Sequence, residues 1–308
     1  MKPLAPLLVI AGPTGSGKSD LALSIAKTFN GEIVNCDSLQ LYRYLNIGTA
    51  KTPETERQGI PHHLFDILNP DEVFTAGGYA RIARTAVQEI AERGKLPIVA
   101  GGTGFYLRAL LDGLFPGPQR DNELRARLAR RPQSLHKLLR RFDPEAAARI
   151  HANDINKLIR ALEVCLLAKR PITTLHAEGR EPLQGFRVLK IALDPPRAEL
   201  AERLNHRCIR MFEAGLVEEI QRILALGYPQ TAKAFESIGY REAILHLNGE
   251  LSLKQAIEAT QVATRQYAKR QRTWFRREPG ITWLQGFGNS LQTCESAISL
   301  VENFLKNS

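Results

Sequence analysis

Two rhythms of apolar residues alternate along the first third of the chain. Short, mostly apolar runs occupy positions 7–11, 33–36 and 96–100, as expected of strands buried on both faces. Between them, Leu21, Ile25 and Phe29 recur at helical spacing, and so do Ile82, Ala83, Ala86 and Ile90, a helix over 79–92 that Gly94 stops. Strands alternating with helices predict an α/β fold built on a parallel, right-handed, doubly wound sheet flanked by helices. From Pro116-Gly117-Pro118 the character changes to an Arg-rich, helical pattern without a convincing strand. A strand returns at 188–193, and Asp194-Pro195-Pro196 opens a new helix. The helical pattern then runs to about Glu278, and one late strand follows over 281–284. The expected organisation is a core of residues 1–115 and 186–308, carrying C-terminal helices, interrupted by a helical insertion domain of residues 116–185. No repeat or low-complexity tract is visible.

Charge sharpens this division. The 308 residues carry a net +10. Residues 1–111 are nearly balanced, with 11 basic and 10 acidic side chains, whereas 112–185 carry 14 and 9 and 186–308 carry 17 and 13. The excess lies outside the N-terminal segment, in keeping with a polyanionic partner or simply with solubility. No run approaches the length of a membrane helix, and the apolar run at 7–11 is too short for a signal peptide, so the protein is read as cytoplasmic with no membrane association. Cys36, Cys165, Cys208 and Cys294 stand far apart and read as free thiols. His62-His63 has no third ligand at metal spacing and reads as packing or hydrogen bonding.

Gly12-Pro13-Thr14-Gly15-Ser16-Gly17-Lys18-Ser19 fits the P-loop pattern, between a strand and a helix. In such a loop the backbone N–H groups converge on a phosphate, and the following helix adds its positive end. Lys18 supplies a point charge to the anionic oxygens, and the Ser19 hydroxyl is positioned for Mg²⁺. The pattern does not by itself specify ATP. An ATPase usually presents an acid at the end of a neighbouring strand, yet the strand 96–100 runs into Gly101-Gly102-Thr103. Asp37 is the acid at a strand end near the loop, where α/β sheets place ligands. It reads equally as a metal ligand, a base or a helix N-cap.

Several further blocks resemble the tRNA dimethylallyltransferases, also called isopentenylpyrophosphate transferases. They are Asp37-Ser38-Leu39-Gln40-Leu41-Tyr42, Asn46-Ile47-Gly48-Thr49-Ala50-Lys51, Pro61-His62-His63-Leu64, Gly101-Gly102-Thr103-Gly104-Phe105-Tyr106-Leu107 and Asn153-Asp154. Arg160-Ala161-Leu162-Glu163-Val164, Ser237-Ile238-Gly239-Tyr240-Arg241 and Thr264-Arg265-Gln266-Tyr267-Ala268-Lys269-Arg270-Gln271 continue the series. Family members often carry Ala where Gly15 stands and Pro where Ala152 stands. The zinc-finger extension of eukaryotic members is absent, which suggests a bacterial-type enzyme.

The resemblance implies a P-loop NTPase-like core and transfer of a dimethylallyl group from dimethylallyl diphosphate to the N6 amine of the adenosine 3′ of the anticodon in tRNA. The loop, residues 12–19, would hold diphosphate with Mg²⁺ as cofactor, and Asp37 would be the general base. Thr103 would touch the reacting groups, and Arg207 the diphosphate. Family positions for tRNA map onto Asp37, Ser38, Leu39 and Gln40, onto Thr103 and Arg125, and onto Asn156, Lys157, Leu158, Ile159 and Arg160. They also map onto Glu236, Ser237, Ile238, Gly239, Tyr240 and Arg241. The residues themselves add one surface: Arg265, Lys269, Arg272 and Arg276 recur on one helical face, with Tyr267 and Trp274 as candidate stacking groups for unpaired bases. The anticodon stem-loop is the expected partner and a monomer the expected state. A kinase with an Arg-rich lid and an RNA-binding switch are the rival readings, and the Gly101-Gly102-Thr103 strand end and the Asp37 block count against both.

Overall fold

The structure, a computed structural model, describes residues 4–306. Six strands form one parallel sheet: β1 (Ala5–Ala11), β2 (Gly31–Asn35), β3 (His62–His63), β4 (Leu96–Ala100), β5 (Phe186–Asp194) and β6 (Ile281–Gln285), in the order β3-β2-β4-β1-β5-β6. The apolar runs are strands because both sheet faces are covered, so alternation would leave polar groups in the core. Helix α1 (Lys18–Thr28) follows the glycine loop and buries Leu21 and Ile25. They pack with Ile10, Ile33, Ile98 and Leu193 from the strands, and each such side chain contributes about 1.5–3 kcal/mol on burial. Helix α2 (Ala76–Glu92) buries Tyr79, Ala83, Val87 and Ile90, and its N-terminus is capped by Thr75, which accepts from the Gly78 N–H at 3.0 Å. Helix α3 (Gly104–Leu111) starts just beyond β4.

The register aligns Asn35 with Ala100 and Ile10 with Ala100. The carboxyl ends of β1, β2 and β4 therefore lie together, and the loops leaving them share one edge of the sheet, where ligands of this architecture bind.

The chain divides into two compact units, one running to Leu110 and resuming at Gln184, the other Leu111–Leu183. The second unit is all helical, with α4 (Asn122–Ala129), α5 (Pro132–Phe142), α6 (Pro144–Arg149), α7 (Ile155–Ala168) and α8 (Ile172–Ala177). Its own core holds Leu124, Leu135, Leu139, Leu158 and Leu162. The first unit continues through α9 (Arg197–Glu213), α10 (Leu216–Ala225), α11 (Tyr240–Leu247), α12 (Leu253–Phe275) and α13 (Leu291–Lys306). The edge strand β3 and helix α13 add to the elements expected from the sequence.

Candidate active site

The P-loop leaves β1 at Ala11 and enters α1 at Lys18. Gly17 caps α1 at φ 87°, and a Cβ there would stand 2.8 Å from the Gly288 nitrogen, so only glycine fits. Gly15 lies at φ 78°, with Leu204 Cδ2 2.7 Å from where its Cβ would be. An alanine at this position would have to displace Leu204. Thr14, Gly15, Gly17, Lys18 and Ser19 line a cavity of about 200 Å³, together with Asp37, Gln40, Gly101 and Arg207. Gly12, Pro13 and Ser16 are buried and frame the loop from behind.

Two features depart from a loop whose every amide faces the ligand. The Thr14 N–H is donated to Gln271 Oε1 at 2.7 Å, and the Ser16 N–H to the Pro13 carbonyl at 3.3 Å. Lys18 Nζ donates to that same carbonyl at 2.8 Å, which folds the lysine over the loop. Burial lowers its pKa to about 8, against the raising effect of Asp37 and with a further lowering from Arg207.

Asp37 is held in a turn by the Asn35 side chain rather than at the start of a helix. Asn35, buried at the end of β2, accepts the Asp37 N–H at 2.9 Å and donates to the carbonyls of Asp37 and Leu64 at 3.1 and 3.0 Å. Asp37 Oδ1 accepts the Leu39 N–H at 2.9 Å. Oδ2 has no hydrogen bond among the described residues and is the oxygen left for chemistry. Thr103 Oγ1 accepts the Ser38 N–H at 3.1 Å, tying the end of β4 to the Asp37 turn. This close approach needs Gly101, whose Cβ would lie 2.1 Å from the Cys36 carbonyl oxygen. The buried Cys36 thiol beside it is pushed up to about 12 by burial, which keeps it neutral and inert.

Arg207 donates to the Thr14 hydroxyl at 3.2 Å and faces Asp37 across the cavity. Arg203 and Arg210 line it as well. The spacing of four and three along α9 marks a single face, a signal that the reading of Arg207 alone passed over. Ser19 is exposed at the start of α1, and the carboxylates of Asp20 and Asp37 line the same cavity. These are hard oxygen donors of the kind Mg²⁺ takes with phosphate and water. Among the described residues no group of three His, Cys, Asp or Glu side chains forms a metal cluster. His63 bonds Glu32 at 2.7 Å and His62 the Ile60 carbonyl at 2.8 Å.

The family model described as IPP transferase matches residues 40–278. The chain belongs to that family. It is 60% identical to a tRNA dimethylallyltransferase of Solibacter usitatus, over 97% of this chain and 99% of that one, and 55% identical to one of Koribacter versatilis, over 96% and 98%. Among solved structures it resembles a eukaryotic dimethylallyltransferase acting on tRNA, at TM-score 0.86 and 29% identity, over 98% of this chain and 80% of that one. It also resembles the full-length tRNA isopentenylpyrophosphate transferase of Bacillus halodurans, at TM-score 0.72 and 35% identity, over 98% and 96%.

The positions that the IPP transferase resemblance assigns to tRNA divide by exposure. Ser38, Leu39 and Gln40 are half-buried at the cavity side of the first unit, and Gln40 donates to the Thr49 carbonyl at 3.1 Å. Asn156 and Lys157 are exposed on the first turn of α7, but Leu158 and Ile159 point into the helical core and offer no side chain to RNA. Helical geometry forces that split, because a run of five consecutive residues circles the whole axis. Arg125 and Arg160 are partly exposed, and both grip the buried Glu163. Glu236 and Arg241 are exposed, and Ser237 and Ile238 half-buried. Gly239 and Tyr240 are buried, with the Tyr240 hydroxyl donated to Glu219 at 2.6 Å, so these two are framework.

The basic face of α12 also needs correction. Arg272 and Arg276 both pair with the buried Asp194, which leaves Arg265, bonded to the neutral Asn205, and the exposed Lys269 without an acidic partner among the described residues. These residues and Arg197 border a groove of about 410 Å³ over Leu200, Leu204 and Ala268. Trp274 is not a free stacking platform: Arg108 covers its ring at 4.4 Å and its Nε1 is buried without a hydrogen-bond partner. Tyr267 turns toward Thr103 and Asp37, where burial raises its pKa.

Proposed function

We propose that the protein transfers the dimethylallyl group of dimethylallyl diphosphate to the N6 amine of the adenosine 3′-adjacent to the anticodon in tRNA and releases diphosphate. The observation that carries this reading is the meeting of Lys18, Arg207 and Asp37 on one small cavity at the P-loop. A cation-lined cradle for a leaving group stands there beside one unengaged carboxylate oxygen. β4 ends in Gly101-Gly102, where a kinase or ATPase presents a carboxylate to its metal.

As the carbon–oxygen bond to diphosphate breaks, negative charge collects on the leaving oxygens. Lys18, Arg207 and the amides at the start of α1 stabilise it, more strongly in the transition state than in the bound substrate. Asp37 Oδ2 accepts the proton of the attacking amine, whose lone pair is otherwise delocalised into the purine. Thr103 holds the Asp37 turn and stands next to the reacting groups. Ser19, with the carboxylates of Asp20 and Asp37 on the same cavity, would hold Mg²⁺, which would supply further charge neutralisation for the leaving group. Arg125, Asn156, Lys157, Arg160, Glu236, Arg241 and Lys269 are the side chains offered to the anticodon stem-loop. The reading includes a cytoplasmic monomer; among the described residues no helix is long and apolar enough to cross a membrane.

Incubation with unmodified tRNA, dimethylallyl diphosphate and Mg²⁺, followed by nucleoside mass analysis, tests the proposal. Dimethylallyladenosine should appear without ATP. Product that requires ATP, or none at all, would overturn it.

A further inference from the structure

The diphosphate cradle and the Asp37 turn stand on different strands, β1 for the first and β2 with β4 for the second. Transfer requires that their separation be held, since the amine must meet the carbon as the diphosphate leaves. One buried side chain joins them. Gln271, 5% exposed near the C-terminal end of α12, accepts the Thr14 N–H at 2.7 Å through Oε1 and donates to the Gly102 carbonyl at 2.9 Å through Nε2. The orientation of the amide is forced, because Thr14 offers only a donor and Gly102 only an acceptor. Thr14 is the residue whose hydroxyl accepts from Arg207. Gly102 is followed by Thr103, which accepts the N–H of Ser38 beside Asp37. Space for the bridge is made on the Gly102 side, where a Cβ would lie 2.2 Å from Gln271 Nε2.

We infer that Gln271 is a positioning residue for the transfer reaction: its amide sets the distance between the P-loop and the Asp37–Thr103 turn without touching either substrate. The inference rests on the proposed function. No other natural side chain of this length offers one acceptor and one donor, both neutral, at its tip. A carboxylate would keep the Thr14 bond and face the Gly102 carbonyl with like charge; a thioether would fill the space and make neither bond strongly. The misplacement that follows falls on the geometry of the reacting groups, where an error of about 1 Å costs up to about 100-fold in rate.

The test compares Gln271→Met and Gln271→Glu with the wild type in single-turnover transfer, with affinities for inorganic pyrophosphate and tRNA measured alongside. Gln271→Met should slow transfer by about 10- to 100-fold while both affinities stay within about threefold, a loss in kcat rather than KM. Gln271→Glu should be slow at pH 8 and recover toward acid pH relative to wild type, because protonation restores a donor for the Gly102 carbonyl. A residue that merely fills the core would show neither the split nor the recovery. Transfer by Gln271→Met within about threefold of wild type would overturn the inference, as would a rate loss matched by weaker binding. Failure of both variants to fold, seen by circular dichroism, would also overturn it by making Gln271 a stability residue. Absence of transfer in the wild type would instead bring down the proposed function, and this inference with it.

Discussion

The guanidinium of Arg125 meets the carboxylate of Glu163 edge to edge, Nε on Oε1 and Nη2 on Oε2, each at 2.8 Å. Arg160 adds a bond to Oε2 at 2.7 Å and the Asp121 N–H one to Oε1 at 2.8 Å. Burial raises the pKa of Glu163, but these four bonds outweigh it and hold the value at about 2. A depressed carboxylate contributes stability that is full above its ordinary pKa near 4.5 and is lost as pH falls toward 2. Glu163→Ala leaves two arginines without their anchor and should destabilise the helical unit by about 3 kcal/mol. Hydrogen exchange in residues 111–183 should rise while the sheet stays protected, and the acid sensitivity between pH 4.5 and 2 should diminish.

Lys18 gives a pH dependence on the other side of neutrality. Its proton is released near pH 8, and on the proposed function diphosphate binds the charged form. Affinity for inorganic pyrophosphate should be level below pH 8 and fall by up to about tenfold per pH unit above it. Titration calorimetry from pH 6.5 to 9.5 would show the break, and Lys18→Arg should move it out of range. A flat profile in the wild type would separate Lys18 from the diphosphate.

Asp37→Asn preserves the acceptor for the Leu39 N–H but removes the proposed base. Single-turnover transfer should fall by about 10²- to 10⁴-fold, equivalent to roughly 3–5 kcal/mol of barrier. Affinity for tRNA, measured on the same protein, should change by less than about threefold. Transfer within a few-fold of wild type would reduce Asp37 to an orienting turn.

The α12 face should divide in salt-dependence measurements. Lys269→Ala and Arg265→Ala together should flatten the slope of log affinity for tRNA against log salt by up to about 2. Arg272→Ala should lower the melting temperature more than it changes that slope, because the buried Asp194 then keeps only Arg276 as a partner. Equal slope changes from all three would show that the Asp194 pairing opens when RNA binds.

Much of the fold was legible because its signals are local. Residues 7–11 and 96–100 lie in strands, the run read at 33–36 is a strand over 31–35, and the P-loop pattern sits between β1 and α1 as read. The helix over 79–92 gains one turn at its start, where Thr75 caps it. Helix α13 carries a periodic signal too, with Cys294, Ala297, Ile298 and Val301 facing the core, and it was passed over beside the late strand. β3 has no such signal. Two histidines pair with Ile33 and Val34, and only the neighbouring strand makes them part of a sheet.

The sequence by itself determined the parallel α/β core, the phosphate loop, the acid at the end of β2 and the helical, basic insertion. Each depends on periodicity or on backbone geometry within a few residues. Only the tertiary structure decided which of those residues remain free to act. Arg265, Lys269, Arg272 and Arg276 have equal standing on a helical face, until Asp194 neutralises two of them from the end of β5. Asn156 to Arg160 is one motif in sequence, until packing turns Leu158 and Ile159 inward. Gln271 carries no local mark of a role at all. Its meaning arises when folding brings α12 against Thr14, 257 positions earlier, and the low dielectric of the core makes an amide that satisfies both loops costly to replace.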